Sequence, residues 1–155
     1  MNQKSAILWK TYEEVSIFLL NQFAKEFNID FFEGKQKIKG KNTNWEIDGK
    51  GLNTKDGKFI IVECRRYTTS KQSQEKIGAL AYKIIDTDAS GGIIVSPLGL
   101  QSGALNIAKA ENIIPVLITP NSRPDEYLIK FLKKLCLGIS DEINISDEIN
   151  YQILY

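Results

Sequence analysis

The sequence predicts an α/β domain in three layers, a mixed β-sheet that contains an antiparallel hairpin and carries helices on both faces. Three observations point to it. Helical periods of apolar residues alternate with short apolar runs in the order α, two strands, α, β, α, β, α. Asp56-Gly57, a favoured hairpin turn, separates two strand-like arms, Trp45–Leu52 and Phe59–Tyr67. The run Phe59-Ile60-Ile61-Val62 is apolar on both faces, as a central strand must be. Strands separated by helices imply right-handed parallel crossovers, and joining these to an antiparallel pair makes the sheet mixed.

The elements follow in chain order. A helix is expected over Thr11–Phe27, where Tyr12, Val15, Leu19, Phe23 and Phe27 recur at three- and four-residue spacing. Thr11 is its candidate N-cap, and Glu13 and Glu14 suit the positive end of its dipole. Glu33–Asn44, with Lys35, Lys37, Lys39 and Lys41 on alternate positions, reads as an exposed strand or extended loop. After the hairpin comes a helix over Ser70–Asp86, with Gln74, Ile77, Ala81 and Ile84 on one face. Gly91-Gly92 leads into the short buried strand Ile93–Val95, which Ser96-Pro97 ends. A helix over Leu100–Glu111 precedes the run Ile113–Thr119, and Pro115, which cannot donate to a ladder, places that strand at an edge. A last helix starts near Pro124, with Asp125 and Glu126 in its first turn and Lys130, Lys133 and Lys134 towards its end.

With 155 residues, the chain is long enough for one ordinary core, taken as 1–138, followed by an acidic tail, 139–155. The tail contains the tandem repeat Ile-Ser-Asp-Glu-Ile-Asn, too few copies for a solenoid and a candidate docking segment for a protein partner. No apolar stretch reaches the ~20 residues that cross a bilayer, and Met1–Lys10 is too short in apolar residues for a signal peptide. Cys64 and Cys136 fall in strand and helix, where reduced core thiols are expected, so the expected location is the cytoplasm.

Histidine is absent. That excludes Ser-His-Asp and Cys-His catalysis, histidine general bases and the common zinc sites. Hydrolytic chemistry would have to rest on carboxylates, lysine or arginine, together with hard metal ions. Charge is unevenly placed: residues 33–83 hold 12 Lys/Arg against 6 Asp/Glu, whereas 139–155 hold none against 4. A basic middle segment suits a polyanion such as DNA, although a solvated charged face would look the same.

One group of residues carries chemistry. Alternation along a strand points Glu63 and Arg65 one way, with Cys64 and Arg66 the other. With Asp56-Gly57 as a two-residue turn, Lys55 pairs with Lys58, and Asp48 falls opposite Arg65 and diagonal to Glu63 on the same face. Cβ separations of about 5 and 7–8 Å between such neighbours leave room for a divalent ion. A charged trio beside Ile60–Val62 is costly to bury; metal binding would account for it, and so would a structural ion pair of Arg65 with a carboxylate. Glu13 borders the apolar stripe of the first helix, and Gln74 lies on that of the second. Both are expected to reach a common pocket, which Glu14 and Gln72 are not.

The pattern "WEIDG", a hairpin, "IVECRRY" and the downstream "GGIIVSPLGLQSGALNIAKAENI" resembles the PD-(D/E)xK nuclease superfamily, in particular Mrr-like restriction endonucleases, over roughly residues 11–119. The resemblance implies a restriction-endonuclease-like core and hydrolysis of DNA phosphodiester bonds with Mg²⁺, or Mn²⁺ in its place, in restriction or defence. It maps the acid of the first strand to Asp48, the Glu of the second to Glu63 and the lysine position to Arg65. The helical Glu of this branch maps to Glu13, within "TYEEVSIFLL", and the glutamine of some relatives to Gln74. Asp48 and Glu63 would hold the metal. Lys35, Lys37, Lys39, Lys41, Lys71 and Lys76 are candidates for holding the DNA backbone, an interaction that positions without specifying.

Arginine where the family has lysine keeps the charge and can give phosphate two hydrogen bonds, but cannot serve as a base at neutral pH. That departure favours an alternative, a nuclease-like module that binds DNA without cutting it. A third class is an interaction protein acting through the acidic tail. Double-strand cutting by one site per chain usually takes a dimer, which makes a homodimer a candidate assembly.

Overall fold

The computed structural model describes residues 12–66 and 69–118. The expected last helix, Cys136, the acidic repeat and the domain boundary at 138 lie outside the described residues. So do the candidate cap Thr11 and the end of the second hairpin arm at Tyr67.

The chain forms α1 (Tyr12–Gln22), a short 3-10 helix (Ala24–Phe27), β1 (Phe31–Glu33), β2 (Gln36–Lys39), β3 (Asn44–Ile47), β4 (Gly49–Leu52), β5 (Phe59–Cys64), α2 (Gln74–Thr87), β6 (Gly91–Ser96), α3 (Ser102–Ala110) and β7 (Ile113–Leu117). Five strands make one sheet in the order β1-β4-β5-β6-β7, and β2 and β3 pair separately. The pairs β1–β4 and β4–β5 are antiparallel, whereas β5–β6 and β6–β7 are parallel, so the sheet is mixed as expected. Pro115 lies on β7, an edge strand.

Apolar residues on the two faces of this sheet build two cores. Val62, Cys64, Ile93, Val95 and Val116 pack with Tyr12, Val15 and Leu19 of α1. Ile61, Ile94 and Ile113 pack with Ile77, Leu80 and Ile84 of α2 and Ala104 and Ala108 of α3. The layers are therefore helix, sheet, helices. Ile61, Val62, Ile93 and Val95 have no exposed surface, and burying each contributes about 1.5–3 kcal/mol. This is why β5 and β6 read as apolar on both faces.

Local polar bonds fix the first helix over the sheet. The Tyr12 hydroxyl donates to the Ile118 carbonyl at 2.7 Å. The Asn21 amide brackets Phe32, donating to its carbonyl at 3.0 Å and accepting from its N–H at 2.7 Å, which ties α1 to the edge strand β1. The helix ends at Gln22, with only a 3-10 turn beyond, and Asn28 stops that turn in the left-handed region at φ 57°. No described helix is long and apolar enough to cross a membrane.

Two expectations about the hairpin are corrected. Trp45–Leu52 is not one strand: it bends at Asp48, and its halves, β3 and β4, belong to different sheets. The turn is also wider than Asp56-Gly57. Asn53 N–H donates to the Lys58 carbonyl at 2.9 Å, so four residues cross between the arms. Asn53 Oδ1 accepts from Lys55 N–H at 3.0 Å, and Asp30 Oδ2 accepts from Thr54 N–H at 2.7 Å, which together hold the wider loop. Leu52 consequently faces Phe59, and Gly49 faces Val62. Lys55 does not pair with Lys58, and the register moves by two residues from the expected one.

Candidate functional site

An even shift of register brings Asp48 level with Glu63 instead of Arg65. Regular alternation does not run through Asp48, because the chain bends there. Its N–H donates to the Val62 carbonyl at 3.2 Å, an acceptor on the residue that faces Gly49. Its Oδ2 accepts from the Cys64 N–H at 2.8 Å, so a side chain replaces a backbone carbonyl at this point of the ladder. Arg65 N–H turns the other way and donates to the Val95 carbonyl at 2.8 Å. Because the peptide unit is planar and trans, the Cys64 carbonyl must then face the Asp48 side.

Glu63 is 4% exposed, and its carboxylate meets two cations. Lys83 Nζ of α2 contacts Oε1, and Arg65 Nη2 lies 3.6 Å from Oε2. Burial pushes the Glu63 carboxyl above its ordinary range; the hydrogen bond and charge of Lys83 pull it down, the Asp48 charge pushes it up, and Arg65 opposes that. The structure thus gathers Asp48, Glu63 and Arg65 about the Cys64 peptide. It does not set the two carboxylates on one flat face: Glu63 is held from the α2 side, whereas Asp48 opens on a cleft beneath α1. Burial, and then the Asp48 charge, push the Cys64 thiol up. Cys64 accordingly belongs to the core, where its neighbours are those of α1.

The cleft, about 580 Å³, is lined by Glu13, Glu14, Ile17, Phe18 and Asn21 of α1 together with Gly34, Lys35 and Asp48. Glu13 therefore shares a cavity with Asp48 as expected, but Glu14 does too, against expectation. The cleft lies along the edge of α1, and both acids of its first turn border it.

The glutamines are exchanged. Gln74 is exposed at the first residue of α2, and its Oε1 would lie 2.4 Å from a Cβ added at Gly103. Gln72 is 1% exposed, and neither its Oε1 nor its Nε2 has a hydrogen-bond partner. The reason is the start of the helix. Ser73 caps it, accepting from Lys76 N–H at 3.4 Å, while Gln72 still forms a parallel bridge with Leu100. Gln74 does not belong to the sheet-facing stripe that Ile77, Leu80, Ala81 and Ile84 form.

The candidate DNA-binding lysines Lys35, Lys37, Lys39, Lys41, Lys71 and Lys76 are all exposed. In the β2–β3 pair Lys37 faces Glu46 and Lys39 faces Asn44, while Ile38 and Trp45 turn inward onto the α2 core. The hairpin is thus a two-faced ribbon with a basic outer face. Lys35 lies 3.6 Å from Glu46, both well exposed, a pairing worth little in water.

Sequence reasoning missed Lys83, Trp45 and Asp86. Lys83 was visible only as a lysine bordering the apolar stripe of α2. Asp86 is 2% exposed and accepts from Trp45 Nε1 at 2.8 Å, Asn42 N at 2.9 Å and Asn42 Nδ2 at 2.6 Å. Asp86 thereby satisfies the loop of the ribbon.

Among the described residues no group of three or more acids or cysteines is arranged to hold a metal. Asp48, bonded to the Cys64 amide, and Glu63, engaged by Lys83 and Arg65, are two carboxylates that open on different sides of the strand. Their oxygens suit Mg²⁺, which commonly takes one or two carboxylates and fills its octahedron with water and substrate phosphate. They do not fit a closed site of protein ligands.

No family model matches the sequence, and no curated protein does. Among solved structures, a protein of unknown function, AF1548, superposes at TM-score 0.56 and 13% identity over 90% of this chain and 76% of its own. That likeness shows a shared fold. A repair endonuclease from Pyrococcus abyssi aligns at TM-score 0.42 and 16% identity over 72% of this chain and 49% of its own. EndoMS in complex with double-stranded DNA aligns at TM-score 0.40 and 16% identity, over 72% and 46%. The chain spans about half the length of these two endonucleases.

Proposed function

We propose that the chain is a metal-dependent endonuclease of the PD-(D/E)xK type, related to the Mrr-like branch, that hydrolyses DNA phosphodiester bonds. The observation that supports this reading is the hydrogen bond from Cys64 N–H to Asp48 Oδ2, which anchors a carboxylate on the residue between Glu63 and Arg65. Asp48 and Glu63 would hold Mg²⁺, with the Cys64 carbonyl turned to the same edge and Glu13 across the cleft. Bound there, the metal would supply Lewis acidity and a water of lowered pKa. Arg65, 43% exposed in its side chain, faces solvent where a phosphate would approach and would neutralise charge developing on it. It cannot take the proton from water, and the chain has no histidine to do so. The basic outer face of the ribbon would hold the DNA backbone without reading sequence. Cutting both strands would require two chains, and the acidic tail is a candidate partner-docking segment.

A second reading is favoured by one observation: Lys83 and Arg65 already neutralise Glu63. Such a site suits a descendant that grips DNA without cutting it. Incubating supercoiled plasmid with the protein and Mg²⁺, Mn²⁺ or EDTA tests both. Nicking that depends on the metal supports the nuclease; salt-sensitive binding without nicking supports the binding module.

A further inference from the structure

Lys83 stands out among the lysines of the described residues. Its side chain is 13% exposed, and its Nζ contacts Glu63 Oε1, donates to the Glu46 carbonyl at 3.1 Å and lies 5.5 Å from the centre of the Trp45 ring. An ammonium has three donors, and burying it is tenable only when they are satisfied. Here a carboxylate, a carbonyl and an aromatic face surround it. A lysine serving only solubility would extend into water, as Lys76 does one turn from the start of the same helix.

Its partners lie on two different units. Glu63 is on β5, in the five-stranded sheet, whereas Glu46 and Trp45 are on β3, in the separate ribbon. The ribbon shares no strand pairing with the larger sheet; the packing of Ile38, Trp45 and Ile47 on the core and contacts with α2 hold it. Tyr82 meets Trp45 edge-on, with ring centres 6.0 Å apart, and Asp86 accepts from the ribbon's loop. Of these three gripping residues, Lys83 alone also reaches the candidate site.

We propose that Lys83 is a positioning residue that fixes the Glu63 carboxylate and ties it to the lysine-bearing ribbon, so that the order of the ribbon and the order of Glu63 depend on each other. The part of this that concerns cleavage rests on the nuclease reading; the tie itself does not.

Two measurements separate them. Amide hydrogen exchange on the metal-free, DNA-free protein reads the tie. Glu63→Gln removes the charge that Lys83 holds while leaving every ribbon residue in place. Exchange at Ile38 and Trp45 should then accelerate about tenfold, the size expected from losing one charge-assisted bond. Lys83→Met should do the same, and Lys83→Arg should restore most of the protection. Unchanged exchange in Glu63→Gln overturns the proposal, whatever the plasmid assay gives. Steady-state cleavage reads the consequence. Lys83→Met should lower kcat about tenfold or more with KM within about twofold, because the phosphate-facing lysines remain. Asp86→Asn, which loosens the ribbon without touching Glu63, should lower kcat in the same direction with KM little changed, because the ribbon's order reaches Glu63 through Lys83 and the same lysines remain. A wild-type kcat in Asp86→Asn, with only KM raised, would mean that the ribbon's order does not reach Glu63 and would overturn the tie. A wild-type protein that never cleaves, but whose ribbon responds to Glu63→Gln, sinks the nuclease reading and leaves the tie standing.

Discussion

Asp48 and Cys64 are joined by a bond between a side chain and the backbone: Asp48 Oδ2 accepts the Cys64 N–H at 2.8 Å. The bond does two things. It closes the gap that the bend at Asp48 leaves in the β4–β5 ladder, and it fixes a carboxylate against the residue that follows Glu63. Shape and charge can be separated here. Asp48→Asn keeps an acceptor for the Cys64 amide, so its thermal midpoint should stay within a few degrees of wild type, a change of ~1 kcal/mol. Mn²⁺ binding, followed by titration calorimetry, should weaken by about 100-fold or more, the scale seen when the shell of a metal site is disturbed. A large loss of stability with metal binding intact would make the residue structural.

Acid should loosen the ribbon before it unfolds the core. The Asp86 carboxyl is held below its usual range first by the Trp45 N–H, then by the Asn42 and Thr43 amides, against the opposing effect of burial. Its pKa in the folded chain is therefore lower than in the unfolded chain. The stability it contributes is present above the ordinary carboxylate value of 3.8 and is lost as pH falls through the lowered one. Tryptophan fluorescence of Trp45, followed below about pH 4, should report the release. In Asp86→Asn that acid transition should disappear, and its persistence would show that another group controls it.

How much of this was legible in the sequence depends on how local each cause is. The apolar runs of β5 and β6, the stripe of α1 and the edge placement of Pro115 could be read because periodicity and a missing donor act within a few residues. The loop between β4 and β5 misled because Asp56-Gly57 favours a two-residue turn, whereas Asp30, more than twenty residues away, holds Thr54 in a wider one. The bend at Asp48 and the start of α2 at Gln74 have the same kind of cause: the partners, Cys64 in one case and Leu100 in the other, are distant in sequence. The even shift kept Asp48 level with Glu63 along the strands, but the bend at Asp48, which the sequence did not show, turns its carboxylate to the α1 cleft while Glu63 is held from α2. Lys83 was not found, because only the fold brings β5 under that turn of α2.

Gly49 has no room for a side chain. A Cβ there would lie 2.3 Å from Ile17 Cδ1 and 3.1 Å from the Glu33 carbonyl. Gly49→Ala should destabilise the protein by about 1–3 kcal/mol through overpacking, since β4 and α1 must part. Trimming the neighbour with Ile17→Ala in the same chain should recover part of the loss. Denaturant unfolding measures both, and a neutral Gly49→Ala would mean that Ile17 of α1 yields without cost.

The ribbon's outer face makes a prediction about salt. Replacing Lys35, Lys37, Lys39 and Lys41 with alanine should weaken DNA binding and flatten the dependence of log K on log salt by about 0.9 for each phosphate no longer neutralised. Lys71 and Lys76, exposed near the start of α2, serve as the comparison. If only their replacement changes the slope, the DNA lies over α2 and not over the ribbon.

The charge at position 65 tests how the site departs from the pattern it resembles. Arg65→Lys introduces the residue of the pattern that the sequence resembles, at a place where the side chain is only 3.6 Å from Glu63 Oε2. Cleavage should be retained or raised, as measured by initial rates on plasmid. Complete loss would mean that the planar guanidinium fork is required.

A metal-dependent site for cutting DNA at Asp48 and Glu63 would show itself in plasmid cleavage. Supercoiled plasmid is incubated with wild-type protein, Asp48→Asn and Glu63→Gln, each with Mg²⁺, Mn²⁺ or EDTA, after circular dichroism has shown all three folded. Wild type should convert the plasmid to nicked and linear forms with either metal and not with EDTA, and both variants should be inactive. Cleavage by either variant at the wild-type rate, or by wild type in EDTA, would contradict it.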